Sequence, residues 1–137
     1  MTRFSRTYTA QPEHIDELGH VNNAVWLTWI QDIAVAHWRQ VAPADIVDAS
    51  VWVVVRHEID YRGNISEGER SVAETFVPDR PKGAKFDRRV DFYAVDADRA
   101  TARPLVSARS TWVMLDAQTR RLMRIPPDLS ELFVEKP

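Results

Sequence analysis

The feature that most constrains the fold is a long apolar stretch with helical periodicity, AVWLTWIQDIAVAHWRQV, at residues 24–41. Its apolar residues recur at helical spacing and form a broad face, whereas the polar residues form a narrow stripe. The apolar face comprises Trp26, Leu27, Ile30, Ile33, Ala34, His37, Trp38 and Val41, and the stripe comprises Thr28, Gln31, Asp32 and Arg39. Such a helix would be about 27 Å long at ~1.5 Å per residue. Most of its surface must therefore be covered by other elements.

Residues that favour helix ends flank this stretch. Asn22 and Asn23 lie just before it, where a side-chain oxygen can accept a hydrogen bond from an unpaired N–H of the first turn. Pro43 lies just past its end and disfavours continuation of the helix. The sequence thus predicts one dominant helix over 24–41.

Most of the remaining sequence has the alternation and the β-branched content of strands. Within 85–96, for example, Phe86, Val90 and Phe92 alternate with polar residues, which is typical of a strand with one buried face. Strands are predicted at 3–11, 51–62, 70–78, 85–96 and 104–118, with the segment RLMRI paired to the last strand and a short terminal helix over 128–133. This order predicts an α+β domain in which an antiparallel sheet of five or six strands wraps around the long helix.

Length, charge and cysteine content exclude several classes of protein. A chain of 137 residues has the size of one domain, so a single domain over 1–137 is expected. The formal net charge of -2 provides no overall positive field for nucleic acid, and the absence of cysteine excludes disulfides and thiolate ligands. The sequence has neither an apolar run of the ~18 residues that span a membrane nor a secretory signal at its start. A cytoplasmic domain with no nucleic-acid or membrane partner is expected.

The segment HIDELGHVNN, residues 14–23, places many polar side chains between the first strand and the long helix. Taken alone, an aspartate before a helix is more often a solvated loop residue or a cap than a catalytic group. His14, Asp16 and His20 can also be read as metal ligands, but their spacing matches no established metal motif, and no metal is predicted. The residue types by themselves leave the role of this segment open.

The stretch IDELGHVNNAVWLTWIQDIA resembles the signature of hot-dog-fold acyl-CoA thioesterases of the 4-hydroxybenzoyl-CoA thioesterase type, in which Asp-x-x-Gly-His-Val-Asn-Asn precedes the central helix. The resemblance continues through VVVRHEIDYRGNISEGERSVAETFV and from LVSARSTWVMLD to RLMRIPPDL, so it covers almost the whole chain. The chain departs from the family at Trp26, where tyrosine is usual, and at Gln31, where many members have glutamate. The resemblance implies a hot-dog fold and no cofactor.

The resemblance also implies roles for residues of the polar segment. Asp16 would act as general base toward water or as a nucleophile. The backbone N–H of Asn23, alone or together with that of Ala24, would stabilise the oxyanion. Gly19 would allow a sharp turn or a close approach of the thioester to the backbone. His20 would orient the loop or contact substrate, or it has a structural role. Asn22 would contact substrate or cap the helix. Trp26, with Trp29, would line an acyl pocket or pack in the core.

Basic residues cluster around the turn between the third and fourth predicted strands, 70–78 and 85–96. The cluster comprises Arg80, Lys82, Lys85, Arg88 and Arg89. A charged turn is ordinarily just solvated, but CoA carries several phosphates that such a loop can bind. Arg80, Lys82 and Lys85 are accordingly the candidate phosphate ligands.

The predicted function is hydrolysis of a small or medium acyl-CoA thioester to the free acid and CoA. A thioesterase acting on acyl-carrier protein and a non-catalytic domain that binds acyl-CoA are the alternatives. Since one sheet packed on one helix leaves strand edges and part of the helix open, a homodimer or homotetramer is expected, with active sites formed between protomers.

Overall fold

A computed structural model of the protein describes residues 3–135. The strands are β1 (Phe4–Thr9), β2 (Ser50–Tyr61), β3 (Arg70–Phe76), β4 (Lys85–Ala94) and β5 (Val106–Asp116); the helices are α1 (Asn23–Val41), α2 (Ala44–Ala49) and α3 (Pro127–Ser130). The strands form one antiparallel sheet in the order β1-β3-β4-β5-β2, so that β1 and β2 are its edges. In the part of the chain from 3 to 135, no helix is both long and apolar enough to cross a membrane.

Helix α1 packs its apolar side on one face of this sheet. Its buried residues Trp26, Ile30 and Ile33 belong to one core cluster with Ala73 of β3 and Phe92 of β4. The predicted α+β architecture, with an antiparallel sheet against one long helix, is confirmed, and the sheet has five strands. Burial of these large side chains removes apolar surface from water and so holds α1, and the loop before it, against the sheet.

The bounds of α1 agree with the prediction to within one residue. The helix begins at Asn23, and Asn22 is the residue that caps it. It ends at Val41, but the chain then forms the six-residue helix α2, which the sequence did not predict. Pro43 stops α1 and at the same time occupies the position before the first residue of α2. Proline has no N–H, so it cannot continue α1, but at the start of a helix it costs no hydrogen bond. One proline can therefore end α1 and precede α2.

The segment after β5 turns back and pairs with it, as predicted. The Met123 N–H donates to the Met114 carbonyl at 2.8 Å, and Leu115 forms a bridge with Leu122. The terminal helix is shorter than predicted, because α3 comprises only Pro127–Ser130. Phe133, just beyond α3, is buried in a second core cluster at the far end of α1.

Candidate active site

The polar segment before α1 folds into a tight turn. Ile15 and Val21 pair as an antiparallel bridge, and the Asp16 N–H donates to the His20 carbonyl at 2.9 Å. Gly19 donates its N–H to the Asp16 carbonyl at 3.0 Å and has a φ of 79°, in the left-handed region where a side chain is disfavoured. A Cβ at Gly19 would meet nothing within 4 Å, so backbone conformation rather than space within this chain favours glycine there.

The Asp16 carboxylate is half-buried and oriented by its own loop. Its Oδ1 accepts a hydrogen bond from the Leu18 N–H at 2.9 Å. Within residues 3–135, no hydrogen bond is formed by the other oxygen, Oδ2. The arrangement fixes the carboxylate and leaves one oxygen available to a water molecule or an electrophile, as either predicted role of Asp16 requires.

The start of α1 presents one free backbone donor. Asn22 Oδ1 accepts from the Ala24 N–H at 2.8 Å, and the Asn22 carbonyl accepts from the Val25 N–H at 2.9 Å. Among the residues described, 3–135, the Asn23 N–H donates to no other group. The cap therefore uses the Ala24 N–H, and Asn23 retains the donor at the positive end of the helix dipole.

Contacts with the end of β2 and with the loop that follows it hold this turn and the helix start in place. The Val21 N–H donates to the Ile65 carbonyl at 3.1 Å, and the Asn64 side-chain amide donates to the Val21 carbonyl at 3.2 Å. The Tyr61 hydroxyl donates to the Asn23 carbonyl at 3.2 Å. Burial raises the pKa of Tyr61, so the phenol keeps its proton and remains a donor at neutral pH. Tyr61 thus ties the edge strand to the residue that carries the free amide.

Sequence reasoning missed Tyr61. Ile59 is partly buried and packs on the main core cluster, and residues two positions apart on a strand share a face. The alternation in HEIDY thus places Tyr61 on the face of β2 that is turned toward the helix. That periodicity was the only signal in the sequence, and it does not indicate a particular partner for the hydroxyl.

The two histidines of the segment are in different environments. His14 Nδ1 accepts from the Gln11 N–H at 3.0 Å, and its ring packs edge-on against Trp29 with the centroids 5.4 Å apart. His14 is therefore a structural residue. The imidazole of His20 is exposed at the turn, next to the loop that carries Asp16.

Trp26, predicted as an acyl contact, lies in the core of the chain with an exposed fraction of 0%. Its indole packs edge-on against Trp29 and Phe92, with ring centroids 5.1 and 4.9 Å apart. Both of these neighbours are buried as well. The structure therefore gives Trp26 a packing role, whereas its contact with an acyl chain stays a prediction.

The predicted phosphate ligands meet at one open groove of about 770 Å³. It is lined by Val55, Arg56, Asp79, Arg80, Lys82, Lys85, Asp87, Arg109 and Thr111. Five of these residues are cationic and two are anionic. The groove lies on the face of the sheet turned away from α1, because the alternating positions Phe86 and Arg88 on β4 are buried. The three predicted phosphate ligands thus line the groove together with two further cations, Arg56 and Arg109. These two were not predicted from the sequence.

Two lysines of the groove face each other across a tight turn. Lys82 and Lys85 exchange both backbone hydrogen bonds, at 2.9 and 3.1 Å, and Gly83 between them has a φ of 64°. Like charges held directly opposite each other repel, and an anion bound between them would offset that repulsion. Arg80 is paired with Glu131 at 3.0 Å, so its charge is partly compensated.

Arg88 does not belong to this basic surface, contrary to the grouping based on sequence. Its side chain points to the helix side of β4, where Arg88 Nη1 lies 2.8 Å from His37 Nδ1 and 3.1 Å from Thr75 Oγ1. The residue is only 8% exposed. Side chains two residues apart on a strand lie on the same face, so Phe86, Arg88 and Val90 all lie on the core face of β4.

Comparison with known proteins places this architecture in a family. The profile of the thioesterase-like superfamily matches residues 10–133. None of the curated proteins compared with the chain matches it significantly.

Solved structures with low sequence identity have the same fold. An acyl-ACP thioesterase from Bacteroides thetaiotaomicron superposes with a TM-score of 0.81 at 20% identity; the match covers 99% of this chain but only 55% of that longer chain. A 1,4-dihydroxy-2-naphthoyl-CoA thioesterase from Synechocystis gives 0.77 at 13% identity, covering 96% of this chain and 95% of that one. A Staphylococcus aureus protein in complex with CoA gives 0.79 at 14%, with coverages of 95% and 80%.

The family profile spans the turn with Asp16, the whole of α1 and all but the first of the five strands. The fold of the solved thioesterases extends over nearly the entire chain. The chain therefore belongs to the thioesterase-like superfamily and has its hot-dog fold.

Proposed function

We propose that this thioester hydrolase cleaves small or medium acyl-CoA thioesters to the free acid and CoA, with Asp16 as the reacting carboxylate. The observation that carries the proposal is the presence, within residues 16–23, of an oriented carboxylate and of a free backbone donor at the start of α1. Asp16 has one unpaired oxygen, and the Asn23 N–H has no acceptor among residues 3–135. These are the two groups that attack on a thioester carbonyl requires.

Two routes are compatible with this arrangement. In one, Asp16 takes a proton from water while the water oxygen adds to the carbonyl carbon; the C–S bond then breaks and the thiolate of CoA receives the proton. In the other, Asp16 adds to the carbonyl carbon and displaces the thiolate, and water hydrolyses the resulting anhydride. In both, negative charge develops on the carbonyl oxygen, and the Asn23 N–H stabilises it.

The other predicted site residues act around these two groups. Gly19 gives the turn its left-handed residue, Asn22 caps α1 and so leaves Asn23 as the free donor, and His20 contacts substrate from the exposed side of the turn. Trp26 supports α1 from within the core, and its contact with an acyl chain stays a prediction.

The groove on the outer face of the sheet is the proposed site for the CoA phosphates. Lys82 and Lys85 supply two adjacent ammonium groups, and Arg80 supplies a planar guanidinium. The CoA complex of the similar Staphylococcus aureus protein supports this choice of ligand.

Replacement of Arg80, Lys82 and Lys85 together by alanine is expected to raise KM for acyl-CoA about tenfold, since exposed charge pairs contribute about 0.2–1 kcal/mol each. Turnover at saturation should be largely unchanged, because none of the three contacts the reacting carbonyl. Steady-state kinetics provide the measurement, and N-acetylcysteamine thioesters, which lack phosphates, provide the control. Equal losses on both kinds of substrate would instead indicate structural damage.

The proposed assembly is a homodimer or homotetramer whose active sites contain residues of two chains. Strand β2 supports it: it is a 12-residue edge strand, and Val53 and Val55 on it are 40% and 55% exposed. A long edge with exposed apolar residues is a template for pairing with a second copy.

Light scattering of the active protein is expected to give a mass two or four times the 15.8 kDa of the chain. Dilution below the dissociation constant should then abolish activity together with the assembly. A monomer that is fully active at assay concentration would contradict the assembly and the shared site.

Two other functions remain as alternatives. Hydrolysis of acyl-carrier-protein thioesters is supported by the similar acyl-ACP thioesterase and by the basic groove, which suits an acidic carrier surface as well as phosphates. Matched CoA and carrier-protein thioesters of one acyl group separate these two substrates. Binding of acyl-CoA without hydrolysis is the third function. The cytoplasmic location and the closer relation to the 4-hydroxybenzoyl-CoA type stay predictions.

A further inference from the structure

Arg88 is a buried cation without an anionic partner. It is 8% exposed, and within residues 3–135 no carboxylate lies at ion-pair distance from it. Its neighbours are neutral or aromatic: His37 Nδ1 at 2.8 Å, Thr75 Oγ1 at 3.1 Å, and the ring of Phe133, whose centroid is 6.0 Å from the guanidinium carbon. A buried charge that lacks a counter-ion is costly, and proteins generally pair such a group or use it.

Neither Arg88 nor its neighbour changes charge near neutral pH. Burial lowers the pKa of Arg88 to about 10, so the guanidinium remains protonated. Burial, together with the charge of Arg88, lowers the pKa of His37 to about 3, so the imidazole remains neutral and serves as acceptor. The cluster therefore carries one uncompensated positive charge.

Arg88 lines a small cavity of about 40 Å³ with aromatic walls. The cavity lies between the second half of α1, β2, β4 and β5 and is lined by Ala34, Val35, Trp38, Trp52, Val77, Phe86, Asp87, Arg88, Trp112 and Phe133. The indole N–H groups of Trp52 and Trp112 are buried, and neither finds an acceptor in the described part of the chain. Among the residues within 3–135 that line the cavity, Arg88 is the one cation.

The one acidic residue at the cavity does not supply the missing acceptor. Both carboxylate oxygens of Asp87 are engaged on the outer face of the sheet, where Arg109 Nη2 donates to Oδ2 at 2.7 Å and Thr111 Oγ1 donates to Oδ1 at 2.8 Å. A ligand in this cavity must therefore bring the acceptor and the negative charge itself.

We infer that this cavity binds the carboxylate end of an acyl group, so that the preferred substrates are thioesters of acids with a second, distal carboxylate. A water molecule needs roughly 10–15 Å³ of such space, so a cavity of about 40 Å³ takes a group of about three heavy atoms, the size of a carboxylate. Arg88 provides the charge, and the aromatic walls accept the adjoining methylene groups.

This inference rests on the proposed function and uses the proposed assembly to connect the cavity to the reacting carbonyl. Trp52 lies near the start of β2, whereas Tyr61, which holds Asn23, lies at its end. Antiparallel pairing of two β2 strands about a two-fold axis between Arg56 and His57 would place Tyr61 of one chain beside Trp52 of the other. The acyl chain would then run from Asp16 of one protomer into the cavity of the other.

The test compares hydrolysis of acyl-CoA pairs of equal length, one ending in a methyl group and one in a carboxylate, for example pentanoyl with glutaryl and hexanoyl with adipoyl. At the length that reaches Arg88, the carboxylate-ended thioester is expected to have a kcat/KM about tenfold or more above its methyl-ended match. Arg88→Met should remove that preference, and Arg39→Met, at an exposed arginine of α1, should retain it. A wild-type enzyme that prefers the methyl-ended thioester at every length would overturn the inference.

Binding of free glutarate and adipate tests the cavity without any reaction. Trp38, Trp52 and Trp112 line it, so occupancy should change the intrinsic tryptophan fluorescence of the wild-type chain. Trp52→Phe, which leaves Arg88 in place, should weaken binding, so the test does not depend on Arg88→Met folding. If no thioester is hydrolysed but the diacids bind, the proposed function fails and the cavity assignment stands. If thioesters are hydrolysed without preference and no diacid binds, the inference fails alone.

Discussion

Asp16→Asn is expected to lower kcat by roughly a hundredfold or more, the usual scale for loss of a positioned base or nucleophile. The substitution preserves the shape of the side chain, and the remaining carbonyl oxygen can still accept the hydrogen bond from the Leu18 N–H. The turn should therefore stay folded, and binding of acyl-CoA should change little. Thiol release at saturating substrate measures the loss, and a thermal unfolding curve verifies that the fold is intact.

Glu17→Gln is the matched control, because Glu17 is the adjacent acidic residue and is exposed. Its kcat should equal that of the wild-type protein. An Asp16→Asn protein that hydrolyses its best thioester at nearly the wild-type rate would show that Asp16 is not the reacting group. In that case the free N–H of Asn23 would only bind the substrate, or it would act together with a different catalytic residue.

Trp26→Ala is expected to lower the free energy of unfolding by about 3–5 kcal/mol, the usual cost of truncating a buried tryptophan or phenylalanine to alanine. The residue is fully buried between Trp29 and Phe92, so its removal leaves a cavity where α1 meets the sheet. Chemical denaturation without substrate measures this loss.

Val35→Ala is the control on the same helix, since Val35 is 37% exposed and should lose much less stability. The comparison also separates the two roles considered for Trp26. A large loss of stability without substrate supports core packing, whereas an unchanged stability with a raised KM would place the side chain in the acyl site instead.

The sequence predicted the long helix and the turn before it well because their signals are local. The apolar face of 24–41 is broader than the apolar face of an ordinary surface helix. The bounds of α1 differ from the predicted bounds by one residue. Asn22 is a cap because its short side chain can reach the N–H two residues ahead, at 2.8 Å from the Ala24 nitrogen. Gly19 marks a left-handed turn, which the structure confirms with a φ of 79°.

Features that depend on tertiary contacts were not predictable in the same way. Helix α2 is too short for a clear period, and in the sequence Pro43 indicates only the end of α1. The charge of Arg88 suggests a surface position, whereas its alternation with Phe86 and Val90 predicts the buried one that it has. Its burial depends on His37 and Thr75, which are distant in sequence, and no local pattern shows that they meet.

The most direct test of the proposed hydrolysis is release of free thiol from a panel of aliphatic and aromatic acyl-CoA thioesters by the purified protein. Catalytic release of CoA from at least one member of the panel is expected, with loss of that release in Asp16→Asn and its retention in Glu17→Gln. Tight binding of an acyl-CoA with no release of thiol from any member would contradict it, and would make the chain a binding protein with a thioesterase fold.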